Sequence, residues 1–557
     1  MVKPFIIDEG PYKGWPTYEY AKKRMHPKIE QASTVKELFE ARAEVSGDKK
    51  YLVYAPTMEE YTYGEMNRWA NRIAYALAEL GVGKGDRVAL FLRNAPHYIA
   101  CMHGVYKLGA IEVPVNWFFR RMEAKYVIGN SGAKVVVAEP DLVDIVADIR
   151  GELPELKYVI TTGDEQGRAD YTLKELTEAK PEHNPDTRIS PDDPVSIIYT
   201  SGTTGLPKGA LLTHKSFVLS AKAITLWPFD ENSVDYTGLP LFHVNAKIYS
   251  SLGTAVAGGV LALSDRWSPQ KFWHEVTATK ATHFNLLGSM INILYALTEK
   301  PEESVAKYVI IGGTPKELWK PFEEKFDMTI LEGYSQTEDP LPFLNPPGPY
   351  AKVGSFGVPV FPDLGHEVKV VDEQGNEVEP GKPGELIRRS PATFQGYWRD
   401  PGRTSEALRD GWLYSGDIVF ADRDGYFYFV DRKKFVIRKS GENISSWEIE
   451  DVLKKHPKIA DAVVVPVKDP FKGEEVKAIV LPKQGEEVKP EEVIEWVAKH
   501  LAYFKVPRYV EIVDSLPYGP TGRPLKWKLI EREKSLEDHG WDRDKHMPDW
   551  RKRFYGS

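Results

Sequence analysis

The chain has 557 residues, of which 42% are hydrophobic and 28% charged, and its net charge of −8 is spread over interspersed acids and bases. That length suits about three or four structural units, and the composition is too apolar for a disordered protein. No basic block points to nucleic acid, no apolar run reaches membrane-spanning length, and the N-terminal MVKPFIIDEG lacks the apolar core of a signal peptide. The one cysteine, Cys101, lies in an apolar helical stretch and reads as a core residue. The expectation is a cytoplasmic protein, with a homo-oligomer compatible with the sequence.

In chain order, Met66, Trp69, Ile73, Leu77 and Leu80 recur at helical spacing between Thr62 and Gly81, and Gly81 offers a C-terminal cap. Val88–Leu92 reads as a strand, a second helix runs from about Ala95-Pro96 to Gly109, and Ile111–Val115 reads as another strand. This alternation, repeated between about Val195 and Phe326, predicts parallel sheets covered by helices. From Val368 the chain changes to short strands and turns, with Asp424-Gly425 as a hairpin turn. After Asp431 a smaller α/β unit begins. Ser445–Glu448 fits a capping box opening a helix that carries Ile449, Val452 and Leu453 and stops at Pro457. Two strands follow, then an amphipathic helix around Val493–Leu501. Residues after about Glu533, rich in Lys, Asp and Arg, read as a surface tail. The predicted fold class is α/β: a large N-terminal region of α/β sheet subdomains with a small β-rich subdomain, then a small mobile C-terminal α/β domain.

The most informative stretch is Ile197-Ile-Tyr-Thr-Ser-Gly-Thr-Thr-Gly-Leu-Pro-Lys-Gly209, an apolar strand running into a glycine- and hydroxyl-rich loop with a lysine. Gly202 and Gly205 let backbone N–H groups approach an anion, Thr200, Ser201, Thr203 and Thr204 add hydroxyl donors, and Lys208 supplies a mobile positive charge. Such a loop holds a polyphosphate. Its spacing is not the G-x-x-x-x-G-K-[ST] of P-loop NTPases, which counts against a kinase or GTPase.

This loop resembles the signature of the superfamily of acyl-CoA synthetases, luciferases and nonribosomal adenylation domains, and the resemblance spans about Tyr61 to Leu529. Within it, DRKKFVIRKSGENISSWEIEDVL and FKVPRYVEI are most similar to crotonobetaine/carnitine-CoA ligases and related acid:CoA ligases. The resemblance implies an AMP-forming ligase that uses ATP, Mg²⁺ and coenzyme A to activate a small-molecule carboxylic acid, a short or medium one with a polar or charged head. It implies residues 1–431 as the large ATP- and acid-binding domain, 432–434 as a hinge with Lys434 its pivot, 435–532 as the CoA-facing small domain, and 533–557 as the charged tail.

Residue by residue, the resemblance makes Gly312-Gly313-Thr314-Pro315 a wall of the adenine pocket, although alone it reads as a turn. Glu332-Gly333-Tyr334-Ser335-Gln336-Thr337-Glu338 matches a second nucleotide motif. There Tyr334 stacks on adenine, Thr337 binds the α-phosphate, and Glu338, with Thr204, holds Mg²⁺. Asp417 and Arg432 correspond to the ribose site. Ser440, Gly441 and Glu442 correspond to the loop that meets the pantetheine arm, and Arg438 to a residue serving the second half-reaction. His243, Val244 and Asn245, after Pro240-Leu-Phe, with Leu287 and Gly288, border the acid pocket. Lys247 reads as a surface lysine that could meet a polar substrate group. The closing motif departs from the family pattern: Arg523 stands where a lysine usually bridges the acid carboxylate and the α-phosphate, and its fork differs in reach. Lys526 is the alternative cation. The competing functions are an adenylate-forming enzyme that hands its acyl group to a carrier protein, and a non-catalytic acyl-adenylate binder.

Overall fold

A computed structural model of the chain describes residues 5–119, 121–164, 166–200, 207–432, 435–439, 442–469, 473–501, 503–518, 524–534 and 539–555. The chain divides into two compact units. One comprises Met1–Lys369, Ile387–Tyr414 and Asp422–Phe427; the other comprises Val370–Leu386, Ser415–Ala421 and Tyr428–Ser557.

The first unit is built on two large sheets. In the seven-stranded sheet the order is Tyr171–Thr172, Tyr158–Thr161, Val135–Ala138, Arg87–Phe91, Ile111–Pro114, Pro194–Thr200 and Lys208–Thr213. All neighbours are parallel except the last pair. Parallel strands need crossover helices, and the sequence supplies them with good ends. Thr62 caps the helix Tyr63–Glu79 and exchanges hydrogen bonds with Glu65 in a capping box. The helix ends at Gly81 (φ 76°), where Val82 N–H reaches back to the Leu77 carbonyl at 3.0 Å. Pro96 opens the next helix, Pro96–Lys107, which buries Cys101.

The nine-stranded sheet runs, by strand, Val358–Pro359, Asp339–Leu344, Thr329–Gln336, Tyr308–Gly312, His283–Leu287, Val234–Thr237, Val260–Leu263, Lys50–Tyr54 and Glu59–Thr62. It is parallel in the middle and antiparallel at both ends, so two nucleotide motifs lie on adjacent strands. Among the described residues, no helix is long and apolar enough to cross a membrane.

The second unit centres on a six-stranded sheet. The long strands Ile459–Asp469 and Gly473–Pro482 pair antiparallel, and Tyr509–Ile512 pairs parallel to the latter. The predicted helices are present as Ser446–Lys454 and Pro490–His500. The surface tail expected after Glu533 requires correction. Glu533 is buried against Lys477, both of its oxygens lying 2.9 Å from Nζ. Beyond it, Trp541–Asp542 adds an edge strand to Tyr509–Ile512, and Trp550 enters the core. The reason is amphipathicity: among the charges, Trp541, Met547, Trp550 and Phe554 pack against this unit's core.

Candidate active site

The strand Pro194–Thr200 leads into the phosphate loop, and Lys208–Thr213 returns antiparallel beside it, pairing Thr200 with Lys208. The loop therefore connects a hairpin, whereas a P-loop connects a strand to a helix, which explains the mismatch in motif spacing. A Cβ at Gly209 would lie 2.6 Å from Ile197 Cγ2, so only glycine lets the two strands close here. Ser201, Gly202, Thr203, Thr204 and Gly205 lie outside the described residues.

Lys208 and Glu338, 130 positions apart, are joined through a residue that the sequence did not mark. The Tyr397 hydroxyl accepts from Lys208 Nζ at 2.9 Å and donates to Glu338 Oε1 at 2.7 Å. The ammonium also lies 4.3 Å from the centre of the Tyr397 ring. Tyr397 is positioned by its backbone neighbours: Trp398 N–H donates to the Gly209 carbonyl at 2.7 Å, and Leu211 N–H to Gly396 at 3.0 Å. Glu338 sits at the tip of the hairpin joining Thr329–Gln336 to Asp339–Leu344, and its carbonyl accepts from Phe394 N–H at 2.8 Å. Burial pushes Lys208 below the usual lysine value, while the Glu338 charge pulls it back up. Burial and the Glu338 charge push the Tyr397 hydroxyl well above the usual phenol range, so it stays a neutral donor.

Beside this hairpin tip, Asp339 is fully buried and accepts from Arg388 at 3.1 Å and from Ser390 and Thr393 at 2.9 Å. This pair anchors the turn that carries Glu338; nothing in the sequence singled out Arg388, 49 positions away.

The residues expected to wall the adenine lie at the ends of three neighbouring strands. The Glu332 carboxylate accepts from Gly313 N–H at 2.6 Å, from Thr314 N–H at 3.2 Å and from the Thr314 hydroxyl. Glu332 thus holds the Gly312–Pro315 turn, and its oxygens are engaged with protein donors. Burial raises it to about 7 against the pull of those hydrogen bonds. Gly333 and Tyr334 continue the strand, opposite Leu344 and Phe343; the Tyr334 ring leans on Phe356 at 4.6 Å. Ser335 and Gln336 end the strand and Thr337 enters the turn. Gly288 opens the helix Gly288–Leu297 directly after Leu287, and a Cβ there would lie 2.3 Å from the Gly313 carbonyl oxygen. Leu287 and Gly288 are thereby fitted against the same turn.

His243, Val244 and Asn245 follow a loop held by buried Asn94, which donates to the Leu239 carbonyl and accepts from Leu241 N–H, at 2.8 and 2.9 Å. Burial lowers His243 to about 4, so it stands as a neutral imidazole. Lys247 is not the surface lysine expected. It is fully buried and pairs with Glu112, because the strand Ile111–Pro114 brings a carboxylate into the same interior.

In the second unit Asp417 is fully buried, and Ser415 Oγ accepts from its backbone N–H at 3.1 Å. Lys526 is committed elsewhere: its ammonium bonds Glu450 at 2.7 Å and Ser446, over the Phe435 ring. Lys434, Ser440, Gly441 and Arg523 lie outside the described residues, as do the side chains of Arg432, Arg438 and Glu442. No group of three or more His, Cys, Asp or Glu side chains that could hold a metal occurs among the described residues.

This fold is that of a nucleotide-dependent, adenylate-forming enzyme. Residues 39–398 match the AMP-binding enzyme family and residues 448–523 match the AMP-binding enzyme C-terminal domain, and the chain belongs to this family. It is 31% identical over 516 residues to the crotonobetaine/carnitine–CoA ligase of Salmonella paratyphi A, covering 89% of this chain and 98% of that one. Among solved structures it is similar to ATP-bound MatB from Rhodopseudomonas palustris (TM-score 0.82, 27% identity, 90% of this chain and 100% of that one). It is also similar to the anthranilate CoA ligase AuaEII in complex with anthranoyl-AMP (TM-score 0.82, 25% identity, 90% and 97%). Its activity is that of an AMP-forming acyl-CoA ligase.

Proposed function

We propose that this ligase activates a short or medium carboxylic acid with a polar or charged head, and that Lys208 and Glu338 carry the first half-reaction. The observation that carries this reading is the Lys208–Tyr397–Glu338 chain beside the phosphate loop. A carboxylate is a poor acyl donor, because its charge repels nucleophiles and it lacks a good leaving group. Its oxygen attacks the α-phosphorus of ATP, forming the acyl–O–P bond as the bond to pyrophosphate breaks. The CoA thiol then attacks the acyl carbon, its proton is lost, and AMP leaves with the electron pair of the C–O bond. The protein's work is positioning and charge stabilisation.

Lys208 offsets phosphate charge, and Tyr397 sets the distance between that cation and Glu338. One carboxylate together with nucleotide phosphates is the donor set Mg²⁺ favours, so Glu338, with Thr204, fits as its protein anchor. Mg²⁺, when bound, neutralises charge on the departing pyrophosphate. Asp417 and Arg432 serve the ribose, Arg523 bridges the acid and the α-phosphate, and Gly441 with its neighbours admits CoA after the small domain turns about Lys434. The polar head is supported by the 31% identity to a crotonobetaine/carnitine–CoA ligase. A buried lone cysteine fits the cytoplasm.

The test is a panel of acids assayed for AMP and acyl-CoA together. Stoichiometric formation of both with at least one short polar acid is expected. AMP without acyl-CoA across the panel would favour transfer to a carrier protein, and neither product would leave a binder.

A further inference from the structure

Glu338 is gripped from a single stretch of chain, residues 388–397. Tyr397 donates to its Oε1 at 2.7 Å, and Phe394 N–H donates to its carbonyl at 2.8 Å. The next residue, Asp339, is held by the start of the same stretch. Ser390 Oγ lies 2.9 Å from both Asp339 oxygens, and Thr393 Oγ1 donates to Oδ2 at 2.9 Å. Arg388 Nη2 donates to Asp339 Oδ1 at 3.1 Å, and its Nε lies 3.1 Å from Oδ2. Ser390 and Thr393 are themselves joined, Ser390 N–H donating to Thr393 Oγ1 at 3.1 Å. Side chain, backbone and adjacent carboxylate of the hairpin tip are thus tied to the segment that carries Tyr397.

The Asp339 and Arg388 side chains are both 0% exposed. A buried ion pair holds only when its remaining polar groups are met, and this one is met on both sides. Leu341 N–H donates to Asp339 Oδ1 at 3.2 Å. Beyond the guanidinium, His366 Nδ1 donates to the Val360 carbonyl at 2.7 Å, which leaves Nε2 to accept from Arg388 at 3.0 Å. Burial and the Arg388 charge hold this imidazole well below its usual value, in keeping with a neutral acceptor. Apolar residues would fill the same volume without any desolvation cost. What the charged set adds is direction: it aims the Asp339 carboxylate at Ser390 and Thr393.

We propose that Asp339, Arg388, His366, Ser390 and Thr393 form a positioning device that pins the hairpin tip and so holds Glu338 where nucleotide-bound Mg²⁺ requires a carboxylate. The inference rests on the role of Glu338 proposed above. These five residues act through Glu338 and take no part in the chemistry. With the pin released, the Tyr397 and Phe394 bonds alone would have to fix the turn.

Calorimetric titration of ATP without any acid, in the presence and absence of Mg²⁺, reads the metal-linked gain in affinity apart from turnover. Arg388→Ala would strand a buried carboxylate, so Ser390→Ala combined with Thr393→Val is the variant of choice: it removes both hydroxyls from Asp339 and leaves the ion pair in place. Its metal-linked gain should fall about threefold or more, as expected from lost hydrogen bonds, with metal-free ATP affinity unchanged. Thr393→Val alone, a change of similar shape, should show the same loss in smaller measure. Ser390→Thr with Thr393→Ser keeps both hydroxyls and should match the parent. An unaltered gain in the folded variants, or equal weakening with and without metal, overturns the pin. Glu338→Gln separates the two readings. If it keeps the parent's gain, the metal role of Glu338 fails and the pin with it; if it loses the gain while the hydroxyl variants keep it, the pin alone fails.

Discussion

Tyr397 joins the two residues proposed to serve the ATP phosphates, since its hydroxyl receives from Lys208 and gives to Glu338. Lys208→Ala and Glu338→Gln should each slow acid-dependent ATP–pyrophosphate exchange about tenfold or more, a loss of roughly 1.4 kcal/mol. Tyr397→Phe keeps the ring beneath the ammonium and deletes only the bridging hydroxyl, so its loss should be smaller, about threefold to tenfold. Exchange at the parent's rate in folded Lys208→Ala and Glu338→Gln would remove both residues from the chemistry. A second prediction concerns pH. Burial lifts Glu332 from the ordinary 4.5 to about 7. The folded protein keeps this proton where the unfolded chain releases it. The resulting stability is complete below about pH 4.5 and is lost as pH rises through about 7. Asp235, lifted to about 7 by its own burial, adds to the same slope and remains in the variant. Urea melts across that range should therefore give Glu332→Gln a shallower decline of stability with pH than the parent; superimposable slopes would contradict it.

Among the elements, the C-terminal extension has the clearest energetic role. Trp541 and Asp542 satisfy the edge of Tyr509–Ile512, whose unpaired backbone would otherwise face solvent. The buried Arg543 guanidinium lies 3.8 Å from the Trp550 ring centre and donates to the Val506 and Pro507 carbonyls at 2.8 and 3.1 Å. Trp550 thus closes the core and covers a buried cation. Trp550→Ala should lower the stability of this unit by about 3–5 kcal/mol, read in guanidinium melts as an earlier transition of the C-terminal part. A variant melting with the parent would show that the extension is dispensable.

At the scale of the whole molecule, the proposed two-step reaction asks the small domain to present different faces in turn. A proline at the pivot fixes φ. Lys434→Pro should therefore impair adenylation and thioester formation unequally, by about tenfold or more in one and little in the other, measured as separate half-reactions. Equal losses would count against a hinge at this position. Arg523→Ala should damage adenylation and spare thioester formation from supplied acyl-adenylate. If adenylation survives in Arg523→Ala, Lys526, which bonds Glu450 and Ser446, is the next cation to replace.

What the sequence determined by itself is whatever depends on neighbours along the chain. Helical spacing from Met66 to Leu77 and the signal at Gly81 located a helix correctly, because periodicity and capping are local. The hydroxyl- and glycine-rich loop announced a member of the adenylate-forming superfamily, and the match of residues 39–398 to the AMP-binding enzyme family bears that out. Tertiary structure alone decided how distant residues share charge. Tyr397 stands 189 positions from Lys208, and Glu112 stands 135 from Lys247. No periodicity links such pairs; an antiparallel bridge between Ala210 and Tyr397 brings the first together, and the second joins the strand Ile111–Pro114 to the helical stretch Asn245–Leu252. Lys247 reads as a surface lysine for the same reason, since a charge becomes affordable in the interior only when its partner arrives from elsewhere in the fold. The charged C-terminal stretch is packed for a related cause: its scattered aromatic residues find a core that only the folded sheet provides.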